Sequence, residues 1–258
     1  MRQAIVAALA MLGLVGSAAD AEQLCPGQAV PAIDGRLLGH LQYGEARADE
    51  LVAAPAGFAI GAACRVRREV AADLARMLAA AEGEPGLKGR VRAISCYRTI
   101  AHQRRVFCSQ IGKGRRSRDA ADRARWVGPP GFSEHATGYA IDFGTRPSPG
   151  CGDVSACFAR TPAGRWLLQH APEYGFELSF PQGNAQGVSW EPWHWRWVGA
   201  SAQVPGAAAA RTLFARARLS YPALPSTPDS GLRVLMPPAM TGIGTPPPPP
   251  GPPLRLRP

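Results

Sequence analysis

Apolar residues recur at helical spacing between residues 66 and 81, where Val70, Leu74, Met77 and Leu78 share a face, so an amphipathic helix is expected there. Period-two alternation follows. Val91 and Ala93 alternate with Arg90 and Arg92, which predicts a strand over 90–95. A helix is expected over 100–109 and a second strand over 138–143. In that strand Tyr139, Ile141 and Phe143 point one way, and Gly138, Ala140 and Asp142 the other. Thr161 has the character of a helix N-cap with Pro162 at the first helical position, and this helix is expected to end near Pro172. Residues 176–180 and 193–198 read as third and fourth strands. In the last, Trp193, Trp195 and Trp197 take one face, His194 and Arg196 the opposite one. An Ala- and Arg-rich helix is expected over 207–219. The rest is unpatterned: 22–62 reads as irregular, 83–89 as a loop and 112–125 as a basic loop. No repeat of fixed period is present.

Composition adds boundaries. The chain has 258 residues, 46% hydrophobic and 19% charged, which excludes a wholly disordered chain, a coiled coil and a collagen. Of the 26 prolines, 13 fall in residues 222–258, including an unbroken run from Pro246 to Pro250, so a disordered Pro-rich tail is expected over 221–258. Residues 1–21 resemble a secretory signal: Arg2, an uncharged apolar run, then Ala19-Asp20-Ala21 as a small-x-small cleavage pattern. The run is too short for a permanent transmembrane helix, so the expectation is a secreted or periplasmic protein with no membrane anchor after cleavage. Net charge is +10 and nearly all cations are arginine. Such a balance admits nucleic acid, acidic lipid or an anionic polymer as surroundings and does not choose among them.

Six cysteines, Cys25, Cys64, Cys96, Cys108, Cys151 and Cys157, in an exported chain suggest three disulfides. Proximity along the chain favours Cys151–Cys157 and Cys96–Cys108, leaving Cys25–Cys64. No C-x-x-C spacing supports a zinc finger.

Two segments carry candidate chemistry. The first is Ser133-Glu134-His135-Ala136-Thr137-Gly138-Tyr139-Ala140-Ile141-Asp142. Asp142 projects from a face otherwise made of Gly and Ala, and His135 can fold back toward it. The second is Trp190-Glu191-Pro192-Trp193-His194-Trp195-Arg196-Trp197. Two His and one Asp make a three-ligand zinc set with the fourth position open to water. Zinc lowers the pKa of that water to about 7, and a nearby carboxylate such as Glu191 can carry the proton to a leaving amine. The helix-borne H-E-x-x-H arrangement is absent.

These residues resemble the zinc D-alanyl-D-alanine carboxypeptidases of VanY type, which share a fold with lysostaphin-like peptidases and the hedgehog amino-terminal domain. The pattern S-x-H-x-x-G-x-A-x-D is met by Ser133, His135, Gly138, Ala140 and Asp142, and E-P-W-H by Glu191, Pro192, Trp193 and His194. Upstream, Ser95-Cys96-Tyr97-Arg98 with trailing Gln103 is similar to the family's S-x-Y-R segment, and Tyr174-Gly175-Phe176 lies in the stretch between the metal motifs. The resemblance spans about 65–199. It implies one Zn2+ held by His135, Asp142 and His194, with Glu191 as general base and acid. It implies that Arg98 holds the substrate's carbonyl oxygen or carboxylate, a place where a guanidinium gives charge-assisted hydrogen bonds. Ser133, Gln103 and Tyr97 are weaker candidates for substrate contact. His102 and His170 receive no role.

The resulting expectation is an α+β fold, a small antiparallel sheet carrying the zinc site with flanking helices. The chain divides into a signal (1–21), an N-terminal extension (22–64), the peptidase core (65–199), a C-terminal helix (200–220) and the tail. The leading functional reading is an exported zinc peptidase acting on peptidoglycan stem peptides as a D-alanyl-D-alanine carboxypeptidase. The alternatives are a peptidoglycan endopeptidase and a zinc-containing wall-binding module without turnover; an intact Glu191 argues against the latter. An anionic cell-wall environment then explains the basic balance better than a specific nucleic acid. The loop from Gly112 to Pro130, with six cationic and two acidic side chains, enters the metal motif and could act as a lid or as a clamp for anionic wall polymer.

Overall fold

The structure, a computed structural model, describes residues 21–227 apart from 62 and 149. The expected signal up to residue 20, and the tail from 228, lie outside the described residues. The elements in order are β1 (Ala21–Cys25), β2 (Gln28–Pro31), β3 (Arg36–Leu37), β4 (His40–Leu41), β5 (Leu51–Ala53), β6 (Arg65–Arg67), α1 (Arg68–Gly83), β7 (Val91–Ser95), α2 (Ile100–Cys108), α3 (Ala120–Ala124), β8 (Ala140–Thr145), α4 (Pro162–His170), β9 (Phe176–Leu178), β10 (His194–Trp197), α5 (Ala207–Leu213) and α6 (Ala215–Ser220).

The architecture is α+β. Its centre is a four-stranded sheet of order β7-β8-β10-β9, antiparallel throughout. Alternation places Tyr139, Ile141, Phe143, Trp193, Trp195 and Trp197 in one apolar core. That core is shared with Val70, Leu74, Met77 and Ala81 of α1, and with Ala163, Trp166 and Leu167 of α4. Fully burying side chains of this size stabilises by about 1.5–3 kcal/mol each. The one polar atom at the end of Trp197 is satisfied, because its Nε1–H donates to buried Asp73 (2.9 Å). Helix α4 starts as the sequence predicts: Thr161 Oγ1 accepts from Gly164 N (3.0 Å), with Pro162 in the first turn.

A second, smaller cluster lies apart from this core. Leu24, Cys25 and Leu37 from the N-terminal segment pack with Phe107, Ala120, Ala124 and Phe132. Residues 22–62 are therefore irregular only in part. β1–β2 and β3–β4 form short hairpins and β5 pairs with β6, while 42–47 has no regular structure. Within the basic segment, Asp119 caps α3 by accepting from Asp122 N (2.8 Å), so that stretch is not all loop. The helix expected over 207–219 is broken at Phe214, which leaves helical geometry and inserts its ring beside Tyr43 and Tyr139. Gly138 is not in a strand. It ends a 3-10 turn, Glu134–Thr137, at φ 75°, and a Cβ there would lie 2.7 Å from Leu51 Cδ2. Both conformation and space demand glycine at this point of the motif. Residues 221–227 pack onto the domain, with Leu178 N donating to Pro225 O (3.0 Å).

The disulfides are Cys25–Cys108, Cys64–Cys96 and Cys151–Cys157. The last follows the expectation from proximity, while Cys96–Cys108 and Cys25–Cys64 are replaced. The reason is tertiary. Hairpin β1–β2 packs on the end of α2, and the strand that starts at Arg65 runs beside the end of β7, where Tyr97 N donates to Arg65 O (3.0 Å).

Candidate active site

The site forms where β8 and β10 lie side by side. Their register sets Asp142 directly opposite His194. His135 comes from the 3-10 turn that Gly138 terminates. One ligand atom from each of His135, Asp142 and His194 lies within 4.8 Å of the others, and all three residues are buried.

Each imidazole is held by its far nitrogen. His135 Nδ1–H donates to Cys96 O (2.7 Å), turning Nε2 toward Asp142. His135 Nε2 lies 3.0 Å from Asp142 Oδ2, yet it is not aligned for a hydrogen bond and stays buried without a hydrogen-bond partner. His194 Nε2–H donates to Glu134 Oε2 (3.0 Å), while Nδ1 faces Asp142 Oδ1 at 2.9 Å. This fixes the ring orientations and directs one nitrogen of each toward a shared point, as outer partners of metal-binding histidines do. Two imidazoles and one carboxylate form the donor set of a catalytic zinc site with an open position. The buried, unpartnered Nε2 of His135 is what such a site requires.

Electrostatics agree with this arrangement. Burial alone would raise Asp142, but His135 and His194 hold it well below the usual carboxylate range. Burial would lower His194; its bonds to Asp142 and Glu134 lift it instead to about 10. It therefore carries a proton between two carboxylates, which metal ligation would release. His135 is pushed down to about 4 by burial and by the charge of Arg98.

Glu134 was not singled out by sequence reasoning, and it organises the ground behind His194. Its carboxylate accepts from His194, from Ser179 Oγ (2.6 Å), from Arg196 Nη1 (2.9 Å) and from Tyr43 Oη (3.4 Å). Burial alone would raise Glu134, but Arg196 and His194 bring it down to about 2. Arg196 in turn donates to Glu177 (2.8 Å), which also pairs with Arg218. The available signal was adjacency to His135 together with a charged residue alternating with tryptophans at 196.

The other expected residues fall in three places. Glu191, Arg98 and Ser133 line the same cavity as the ligand cluster, of about 550 Å³. The carboxylate of Glu191 accepts no hydrogen bond from any described residue, and burial pushes it up to about 8. Arg98 Nη1 stands 3.9 Å from Asp142 Oδ2, and its buried Nε has no partner. The Ser133 hydroxyl does not cap the turn that follows it. Tyr97 and Gln103 are not in the cavity wall. Tyr97 Oη donates to Glu45 (3.1 Å), and Gln103 Nε2 donates to Gly128 O (2.7 Å), which ties α2 to the end of the basic segment. His40, from outside the recognised motifs, lines the cavity and donates from Nε2 to Ala124 O (2.7 Å).

Comparison with known proteins places this geometry. The sequence profile of the family described as VanY, D-alanyl-D-alanine carboxypeptidase, matches residues 63–200. YodJ of Bacillus subtilis (strain 168) is 36% identical over 141 residues, 53% of this chain and 48% of that protein. The bifunctional D-Ala-D-Ala dipeptidase and D-Ala-D-Ala carboxypeptidase VanXYC of Enterococcus gallinarum is 33% identical over 116 residues, 44% of this chain and 59% of that protein. The chain thus matches about half the length of these relatives. Among solved structures, the LdcB LD-carboxypeptidase superposes with TM-score 0.51 at 28% identity, covering 69% of this chain and 77% of that one.

Proposed function

The chain belongs to the VanY family of D-alanyl-D-alanine carboxypeptidases, and from that premise we propose that it is an exported zinc peptidase that removes a carboxy-terminal D-amino acid from peptidoglycan stem peptides. The observation that carries this reading is the meeting, in one cavity, of three convergent metal donors with the buried carboxylate of Glu191, which accepts no hydrogen bond from any described residue. His135, Asp142 and His194 would hold the metal. When bound, zinc supplies Lewis acidity, lowering the pKa of water and polarising a carbonyl.

The chain's own groups supply the rest. Glu191 takes a proton from the attacking water and passes it to the leaving amine nitrogen as the C–N bond breaks and the new C–O bond forms. Its raised pKa suits a group that must both accept and donate near neutrality. Arg98, fixed by burial beside Asp142, offers a cation to the substrate's terminal carboxylate. A cation held at this place favours a carboxypeptidase over an enzyme that cuts inside a chain. Export to the periplasm or beyond rests on the amino-terminal pattern and the disulfides.

The test is mass spectrometry of defined stem peptides, ending in D-Ala-D-Ala and in a single D-Ala, after incubation with the zinc-loaded protein. Loss of one terminal D-Ala is expected. An internal cut would replace this reading with an endopeptidase, and unchanged peptides would leave a binding module.

A further inference from the structure

His40 lies outside the residues that match the family profile, which begin at 63, yet it lines the catalytic cavity. It directly follows the two-residue turn of hairpin β3–β4, where Leu37 pairs with His40. Both turn residues have positive φ, 52° at Leu38 and 90° at Gly39. That backbone makes a tight hairpin and is costly for leucine. A Cβ at residue 39 would lie 2.5 Å from Gln186 O, so the turn is pressed against the loop that leads to Glu191. Leu37 packs in the smaller cluster and Leu41 in the main core. A strained turn anchored on both sides fixes where the imidazole stands.

The tautomer of His40 follows from its partner. A carbonyl oxygen only accepts, so Nε2, 2.7 Å from Ala124 O, carries the proton. Nδ1 is then a bare lone pair. Burial, which lowers the imidazole to about 4, keeps it so near neutrality. No described residue donates to Nδ1, yet it is not shut off from solvent; it opens onto the cavity. Phe180 stands between His40 and His194, with ring centroids 6.1 and 4.9 Å away, so His40 is one ring removed from the metal ligands.

An acceptor that a bound peptide covers must meet a donor or stay unsatisfied. A peptide brings amide N–H groups and ammonium groups. Arg98, Arg116 and Arg123 line the same cavity, and their charge disfavours an ammonium. On the function proposed above, on which this inference rests, we propose that His40 is a substrate-binding residue whose Nδ1 accepts a hydrogen bond from a backbone amide N–H of the stem peptide. The N-terminal extension then takes part in binding substrate as well as in packing.

Two substitutions separate the two ring nitrogens. By bond count from Cα, an asparagine oxygen takes the place of Nδ1, and a glutamine nitrogen the place of Nε2. The zinc-loaded full chain is assayed on a stem peptide ending in D-Ala-D-Ala. His40→Gln should keep the thermal midpoint and lower kcat/KM about 3- to 10-fold, the size of one neutral hydrogen bond. The loss should fall on KM, because a contact away from the reacting bond acts alike in ground and transition states. His40→Asn, which restores the acceptor, should recover most of that loss while lowering the midpoint. Wild-type kcat/KM in His40→Gln, or equal losses in both variants, reduces His40 to a latch on Ala124 and overturns the proposal. If His40→Asn does not fold, N-methylation of each retained amide in turn decides. One position should then cost the wild type more than it costs His40→Gln, and the lack of any such position overturns the proposal. Calorimetric binding of the same peptides repeats the comparison without turnover. Tighter binding by the wild type than by His40→Gln, without cleavage, supports the contact and overturns the hydrolytic reading alone.

Discussion

Strands β8 and β10 have two sides, and both are buried by different means. On one side Tyr139, Ile141, Phe143, Trp195 and Trp197 are each 2% exposed or less and pack against α1 and α4. On the other, Asp142, His194 and Arg196 are at most 5% exposed, and each is compensated by a charged or polar partner. Alternation in an antiparallel sheet ordinarily means core on one face and water on the other. Here the polar face is withdrawn from water as well, with Glu134, Glu177, Tyr43 and Phe214 packed around Arg196 and His194, so its charges must satisfy one another. The apolar side tolerates imprecision; the polar side does not, because an unpaired buried charge is costly.

The largest expected effect tests whether the polar side performs chemistry as well as holding together. Glu191→Gln should lower kcat by roughly 10²–10⁴-fold, with zinc content and thermal midpoint unaltered. Turnover near the wild-type level would remove Glu191 as proton carrier.

The next prediction sets the two sides against each other in stability. Trp195→Ala should cost about 3–5 kcal/mol through the cavity it leaves. Glu177→Ala should cost a similar ~3–5 kcal/mol, because Arg196 and Arg218 lose a shared partner in the interior. Denaturant unfolding measures both, and a cost under about 1 kcal/mol for Glu177→Ala would show that the polar side contributes little to holding the fold.

Acid should act mainly through the polar side. Burial lowers His40 from 6.5 to about 4 in the folded chain. Between those values the unfolded chain binds a proton that the folded chain does not, so stability falls as pH drops from 6.5 and levels off below about 4. The linked loss is roughly 3 kcal/mol. His40→Leu should flatten that part of the stability profile, and an unchanged slope would assign the acid sensitivity elsewhere.

The smallest effect concerns the support behind His194. Glu134→Gln keeps an acceptor for His194 Nε2–H but removes its charge. Zinc affinity, read by competition with a chelator, should weaken roughly 10–100-fold. Unchanged affinity would reduce Glu134 to a partner of Arg196 alone.

Much of the central sheet was legible in the chain. Strands at 91–95 and 140–145, helix α1 and the Thr161 cap follow from periodicity and capping chemistry acting over a few residues. The side on which Asp142 and His194 stand follows from period two. The turns of the N-terminal hairpins and the break at Phe214 were hidden, since Gly, Pro and Ala carry little pattern. Tyr97 and Gln103 were expected near the substrate, yet one bonds Glu45 and the other ties α2 to Gly128, distances along the chain that no local rule spans.

By itself the sequence determined which residues could be metal ligands, which carboxylate is a candidate to carry the proton, and which strand faces would be apolar, because donor type and side-chain direction are local properties. Only the tertiary structure decided that Glu134 stands behind His194, that Cys25 meets Cys108 and Cys64 meets Cys96, and that Arg116 and Arg123 line the catalytic cavity. Those contacts join residues from separate elements. They exist only once packing around the apolar core has brought the elements together and forced the charges on the other side to find partners.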